Sequence, residues 1–291
     1  MISKLKYVVV SMRPEQWVKN LFVFAGLIFS GNLFHLEILI RVGSGFVLFS
    51  LVASSIYIFN DIRDVESDKA HPEKKNRPLA AGLLSIPSAY ASATVLALVG
   101  LIVALTLDWV FFCILVVYLL INIAYTIRVK KMVILDVMCI SSGFVLRVLA
   151  GTELATVIPS DWLIICTITL SLFLGFSKRR HELILTGTDP YNRRTVLGEY
   201  STRFLDQMIG VATACTVMSY ALYTISPETV SRFGTRNLIT TIPFVLYGIY
   251  RYLYLIHQKN LGGNPTRDLF ADLPLLINAV LWVCVVVFII Y

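Results

Sequence analysis

Charge is scarce in this sequence. Asp, Glu, Lys and Arg make up 15% of its 291 residues, where a soluble domain carries about a quarter. That shortage argues against water as the solvent on all sides. Paired cysteines are lacking too. Cys113, Cys139, Cys166, Cys215 and Cys284 stand singly inside apolar runs. This excludes a disulfide framework or a cysteine metal cluster and leaves five small buried hydrophobes. No low-complexity tract, long linker or separate soluble domain interrupts the pattern.

In their place stand long apolar runs: 57% of the residues are hydrophobic and the mean hydropathy is +0.77. A bilayer core takes roughly 20 residues of helix. Nine runs qualify, at 17–33, 40–60, 86–107, 109–127, 132–152, 161–177, 205–225, 238–257 and 273–291. The first is flanked by Arg13 and Lys19 and has no small-residue cleavage site, so it reads as a retained helix. The expectation is an all-α, polytopic membrane protein with residues 1–291 as a single transmembrane domain.

Most of the 25 Lys and Arg fall in the N-terminus and in the loops after the second, fourth, sixth and eighth runs. The opposite side holds only Arg41, Arg232 and Arg236, while Arg147 and Arg251 lie within runs. The asymmetry predicts an N-terminus and long loops in the cytosol, with the chain in a bacterial-type inner (plasma) membrane. The net charge of +7 is thereby a topology signal, and no nucleic-acid partner is needed to explain it.

The second run ends in Asn60-Asp61-Ile62-Arg63-Asp64-Val65-Glu66-Ser67-Asp68. Asn60, Asp64 and Asp68 are spaced at i, i+4 and i+8. On a continuing helix they drift by about 40° per step and line one stripe, with Asp61 beside it. Carboxylates and an amide are hard oxygen donors that suit Mg²⁺ joined to substrate phosphates. Carboxylates clustered at a membrane boundary repel one another unless a cation joins them, and charges there are functional candidates. The next stretch, His71 to Gly82, is broken by Pro72, Pro78 and Gly82. Within it Arg77 is placed to reach phosphate oxygens with its planar fork.

The pattern N-D-x-x-D-x-x-x-D followed by H-P-x-K-x-x-R-P-L-A-A-G resembles the UbiA superfamily of intramembrane prenyltransferases. The resemblance covers nearly the whole chain. It implies nine transmembrane helices around a central cavity open to the cytosol. It also implies that Asn60, Asp64 and Asp68, assisted by Asp61, form the catalytic Mg²⁺-diphosphate site.

One departure matters. Members of that superfamily carry a second acidic motif, D-x-x-x-D, after the sixth span; here the place reads Ser177-Lys178-Arg179-Arg180-His181-Glu182-Leu183. Base replaces acid, which suits a phosphate held without metal. The stretches R-P-x-Q-W-x-K-N (Arg13 to Asn20), Leu135 to Gly151, and F-S-K-R-R-x-E-L (Phe176 to Leu183) resemble one branch of the superfamily. That branch implies transfer of 5-phosphoribose from phosphoribosyl diphosphate to a polyprenyl, decaprenyl-type phosphate, toward a cell-wall arabinan donor.

The expected substrate-binding residues are Lys19, Arg77, Tyr125, Lys130, Lys131, Asp136, Arg147, Lys178, Arg179 and Arg180. Asp136 and Arg147 stand eleven residues apart, about 16 Å along a helix. They therefore cannot pair, and each needs its own partner in a dry environment. His71 and His181 read as loop structure or polar lining, because an already anionic phosphate nucleophile needs no strong general base. Two other readings share the composition: a prenyltransferase acting on an aromatic or lipophilic acceptor, and a transporter. The missing second acidic motif weighs against the first. The gathering of polar groups on one face weighs against the second. No sequence feature decides for or against a homo-oligomer.

Overall fold

The computed structural model describes residues 2–70, 74–186 and 195–291. His71, Arg193 and Arg194 lie outside them. Among the described residues every regular element is helical. In chain order these are α1 (Ile2–Met12), a 3-10 segment (Pro14–Phe24), α2 (Ala25–Ile28), α3 (Leu36–Arg63), α4 (Val65–Ala70), α5 (Ile86–Leu107) and α6 (Trp109–Ile127). Then follow α7 (Leu135–Leu154), α8 (Asp161–Thr186), α9 (Thr202–Ile225), α10 (Pro227–Phe233), α11 (Ile242–Gln258), α12 (Pro265–Ala271) and α13 (Leu273–Ile290).

Eight of these segments are long and apolar enough to cross a bilayer: α3, α5, α6, α7, α8, α9, α11 with the turn before it, and α13. They match eight of the nine expected runs. The first expected run, 17–33, is built differently. Arg13 has a left-handed backbone (φ 53°) that breaks the chain from α1, and Pro14 opens a 3-10 segment of 11 residues. At about 2.0 Å per residue such a segment spans about 22 Å, more than an α-helix of that length. It runs antiparallel beside α3. Trp17 Nε1 donates to Ser54 Oγ at 3.0 Å and Asn20 Nδ2 to Ser50 Oγ at 2.9 Å. One turn further on, the rings of Phe24 and Phe46 lie 5.7 Å apart. These polar rungs hold a tight helix that hydropathy alone does not reveal.

A second difference concerns the basic stretch. The sixth expected span stops at 177, whereas α8 continues to Thr186. Lys, Arg, Glu and Leu are strong helix formers and nothing between 177 and 186 breaks the pattern. The bases therefore stand on a helix rather than at its end.

Contacts divide the chain into two compact units. The first holds Met1–Leu27, Leu33–Lys130 and Leu146–Val157; the second holds Ile28–Asn32, Lys131–Val145 and Ile158–Tyr291. In the first, Leu27, Phe49, Val52, Phe111, Leu115 and Leu154 form a fully enclosed core. Backbones approach closely there. A Cβ on Gly151 of α7 would stand 1.7 Å from the Val23 carbonyl oxygen, so only glycine fits. In the second unit Val137, Phe173, Leu197, Leu205, Ile209 and Ile256 form the core.

Candidate active site

The acidic stretch lies where α3 gives way to α4. Asp64 caps α3 with non-helical backbone (φ −102°, ψ 6°). The ladder nevertheless holds on either side: Asp64 N–H donates to Asn60 O at 2.9 Å and Asp68 N–H to Asp64 O at 2.8 Å. The expected stripe therefore survives a pause in the helix.

Three cationic side chains of the first unit meet these carboxylates. Arg77 Nη1 donates to Asp61 Oδ1 at 3.1 Å and to Asp68 Oδ2 at 2.6 Å. One nitrogen thus sits between two carboxylates. Arg13 also donates to Asp61 Oδ1 and lies over the Tyr57 ring, 5.5 Å from its centroid. Lys130 Nζ donates to Asp64 Oδ1 at 2.7 Å. Asn60 Oδ1 accepts from Thr126 of α6. Asp61 and Asp68 are buried, whereas the side chains of Asp64 and Lys130 retain 35% and 23% exposure. Among the described residues, no three carboxylate, imidazole or thiol groups converge as a ready metal cage.

The donor chemistry still fits a divalent cation. Asn60, Asp61, Asp64 and Asp68 offer only oxygen, and two of the carboxylates already share a single cationic atom. Asp61, expected as an assisting ligand, is the most enclosed of the three and is held by two arginines.

Arg147 of α7 is buried in the first unit. Its Nε donates to Asn20 Oδ1 at 2.8 Å and its Nη2 to Tyr118 Oη at 2.9 Å. Its guanidinium lies about 5 Å over the rings of Phe49 and Tyr118. Lys19 and Tyr125 are half-buried in the same unit.

In the second unit Asp136 and Arg179 are paired and sealed. Arg179 Nε donates to Asp136 Oδ2 at 2.5 Å and Nη1 to Glu182 Oε2 at 2.6 Å. The Tyr200 hydroxyl donates to Asp136 Oδ1 at 2.8 Å and accepts from Ile134 N–H at 2.7 Å. Burial pushes the Tyr200 phenol well above its ordinary range, so it stays a donor. Ile134 has φ +67°, a rare conformation for a β-branched residue, and Tyr200 ties down its amide.

Lys178, Arg179 and Arg180, expected as one anion clamp, have different surroundings. Arg179 is enclosed between two carboxylates, and Arg180 Nε donates to Asp206 Oδ1 at 2.6 Å. An arginine on a buried helix face needs a carboxylate to offset its desolvation. Lys178 is half-buried and Lys131 exposed. Asp136 and Arg147 have separate partners, as their spacing requires. Sequence reasoning missed Arg13, Asn20, Thr126 and Tyr200 as individual partners. Arg13 and Asn20 were visible only as members of a motif.

Residues 20–271 match the UbiA prenyltransferase family, and the chain belongs to that family. It is a multi-pass membrane protein. Among curated relatives, the chain is 34% identical over 287 residues to the Decaprenyl-phosphate phosphoribosyltransferase of Corynebacterium glutamicum, covering 97% of this chain and 86% of that protein. It is 34% identical to the protein of the same name from Mycobacterium tuberculosis, covering 96% and 92%. Its fold is similar to that of a UbiA homolog from Archaeoglobus fulgidus bound to GPP and Mg²⁺, with a TM-score of 0.75, 17% identity, and 98% and 99% of the two chains covered.

Proposed function

We propose that this chain is a polyprenyl-phosphate phosphoribosyltransferase, a pentosyltransferase that acts as one catalytic domain over 1–291. It moves 5-phosphoribose from phosphoribosyl diphosphate to a decaprenyl-type phosphate and releases diphosphate, toward cell-wall precursors of the arabinan-donor type. The N-terminus and the acidic stretch face the cytosol of the inner membrane, in keeping with the charge asymmetry of the loops.

The observation that carries this reading is the fate of the second acidic motif. In its place stand Arg179 and Arg180, and the carboxylates near them, Asp136, Glu182 and Asp206, are each committed to an arginine. The acidic stretch at Asn60–Asp68 keeps an amide and three carboxylates on neighbouring turns, which suits a reaction with one diphosphate. The relatives' shared name supports the same acceptor and the same transferred group.

Asn60, Asp64 and Asp68, with Asp61 behind them, would hold Mg²⁺, which when bound supplies charge neutralisation of the departing diphosphate. Arg77 and Lys130 bring cationic donors to the same stretch, where preorganised charge lowers the barrier. The bond between ribose C1 and the diphosphate oxygen breaks while an oxygen of the polyprenyl phosphate forms the new bond to C1. That oxygen is already anionic, so no side chain need remove a proton. Lys19 and Tyr125 in the first unit, and Lys131 and Lys178 in the second, are each proposed as phosphate contacts of their own unit, while the buried Arg147 is held by Asn20 and Tyr118. Arg179 and Asp136 serve as the frame.

The test is mass spectrometry of lipids from membranes overproducing the chain, given Mg²⁺ and either phosphoribosyl diphosphate or a prenyl diphosphate. A phosphoribosylated polyprenyl phosphate formed only with the first donor is the expected product. Prenylation of an aromatic or lipophilic acceptor instead would overturn the assignment.

A further inference from the structure

We propose that Arg77 and Lys130 are placeholder cations, which neutralise the acidic stretch before substrate arrives and change partners from carboxylate to phosphate when a metal-diphosphate binds. This rests on the reading of Asp64 and Asp68 as the donor site.

The charges balance. Asp61, Asp64 and Asp68 contribute three negative charges, and Arg13, Arg77 and Lys130 contribute three positive ones, all joined by ion pairs. A divalent cation entering alone would add two positive charges to a neutral cluster and would have to evict a cation from the carboxylates. A diphosphate entering alone would meet those carboxylates. Entering together, the two charges largely offset each other, and each evicted base gains a phosphate oxygen.

The three bases are not equivalent. Arg13 is tied to its place: it opens the 3-10 segment with a left-handed backbone, lies over Tyr57, and contacts Asp61, which is 2% exposed. Arg77 instead spreads one nitrogen over two carboxylates, a position a metal ion would compete for. Lys130 sits on a flexible stem in the most open pair of the cluster, and an ammonium moves readily from carboxylate to phosphate. The result is reciprocal coupling: metal and diphosphate each tighten the binding of the other by the same factor.

The test uses the full chain in detergent, with Mn²⁺ as probe followed by the resonance of the free ion, alone and with inorganic diphosphate or phosphoribosyl diphosphate. Mn²⁺ alone is expected to bind weakly and to tighten about tenfold or more when either diphosphate is added. Lys130→Gln should bind Mn²⁺ alone about tenfold more tightly than the parent, with a smaller gain on adding diphosphate. Lys130→Arg should restore the parent behaviour. Arg77→Gln should act like Lys130→Gln, with a thermal unfolding curve to confirm its fold; because the Lys130 pair is the more open one, Lys130→Gln decides the matter even if Arg77→Gln does not fold. Mn²⁺ binding alone no tighter in Lys130→Gln than in the parent overturns the exchange. Asp64→Asn separates the two levels. If it binds Mn²⁺ with diphosphate as the parent does, the site assignment itself is overturned; if it loses Mn²⁺ while Lys130→Gln is unchanged, only the exchange is.

Discussion

Two clusters in this molecule are built from the same chemistry and differ in their access to water. In the first unit Lys130 meets Asp64 with 23% and 35% of their side chains exposed. In the second, Arg179 meets Asp136 with 1% and 0% exposed. A pair that keeps contact with water is worth less than a sealed one, about 0–1 kcal/mol when fully exposed, and is the easier to trade for another partner. A sealed pair has given up hydration on both sides, and removing one member strands the other charge. Exposure, not composition, separates a pair that is exchangeable from one that is fixed. The same basic and acidic residue types form a pair open to water in one unit and a sealed pair in the other.

That contrast can be broken most directly at Asp64 and Asp68. Asp64→Asn should lower transfer by about 10²–10³-fold or more, the scale of lost transition-state charge stabilisation, with the melting temperature in detergent nearly unchanged. The buried Asp68→Asn should lower transfer as far, with some loss of melting temperature because Arg77 loses that carboxylate partner. Removal of divalent metal with EDTA should act on the parent protein as Asp64→Asn does. A large fall in melting temperature with Asp64→Asn or EDTA would mean that this cluster, too, is structural.

The sealed cluster should respond in the opposite sense. Arg179→Met leaves Asp136 buried and uncompensated, at a cost of about 3–5 kcal/mol, read as a large drop in melting temperature. The double variant Asp136→Leu with Arg179→Met should recover part of it. Equal losses in single and double variants would show that the two residues do not act as a pair. Tyr200→Phe should have a smaller effect of about 1–2 kcal/mol, because it removes one donor to Asp136 and the acceptor for the Ile134 amide. An unchanged melting curve would remove Tyr200 from the network.

A third pair gives the smallest effect and a check on sign. Arg251 donates to Asp272 at 2.8 Å and 3.0 Å, and its hydrogen bonds hold the Asp272 carboxyl below its ordinary value of 3.8. A carboxyl depressed in the folded protein adds stability above the ordinary value and loses it as pH falls through the depressed one. The parent should therefore lose slightly more stability than Asp272→Asn as pH falls from 5 toward 2, a range that brackets 3.8. Parallel pH profiles would show that the pair adds nothing.

The acidic stripe was legible because its spacing lies within one stretch of chain. Its partners were only partly so. Arg77 and Lys130 were expected as phosphate ligands rather than as carboxylate partners: Arg77 follows nine residues after Asp68, Lys130 meets Asp64 across 66 residues and Arg13 meets Asp61 across 48. The eight long helices were visible as apolar runs. The 3-10 segment was not, because it is tethered to Ser50 and Ser54 by polar rungs that hydropathy does not weigh. The pairing of the basic triplet was hidden for the same reason: Asp136 lies 43 residues from Arg179, and no local pattern tells a clamp from a sealed pair.

Gly151 has a consequence for traffic. Where its backbone rests on the Val23 carbonyl, the seam between α7 and the 3-10 segment is closed to anything as thick as a methylene chain. A long isoprenoid tail cannot slip through at that level, and its path to the reacting phosphate has to follow another seam. A glycine is in this way a barrier to lipid.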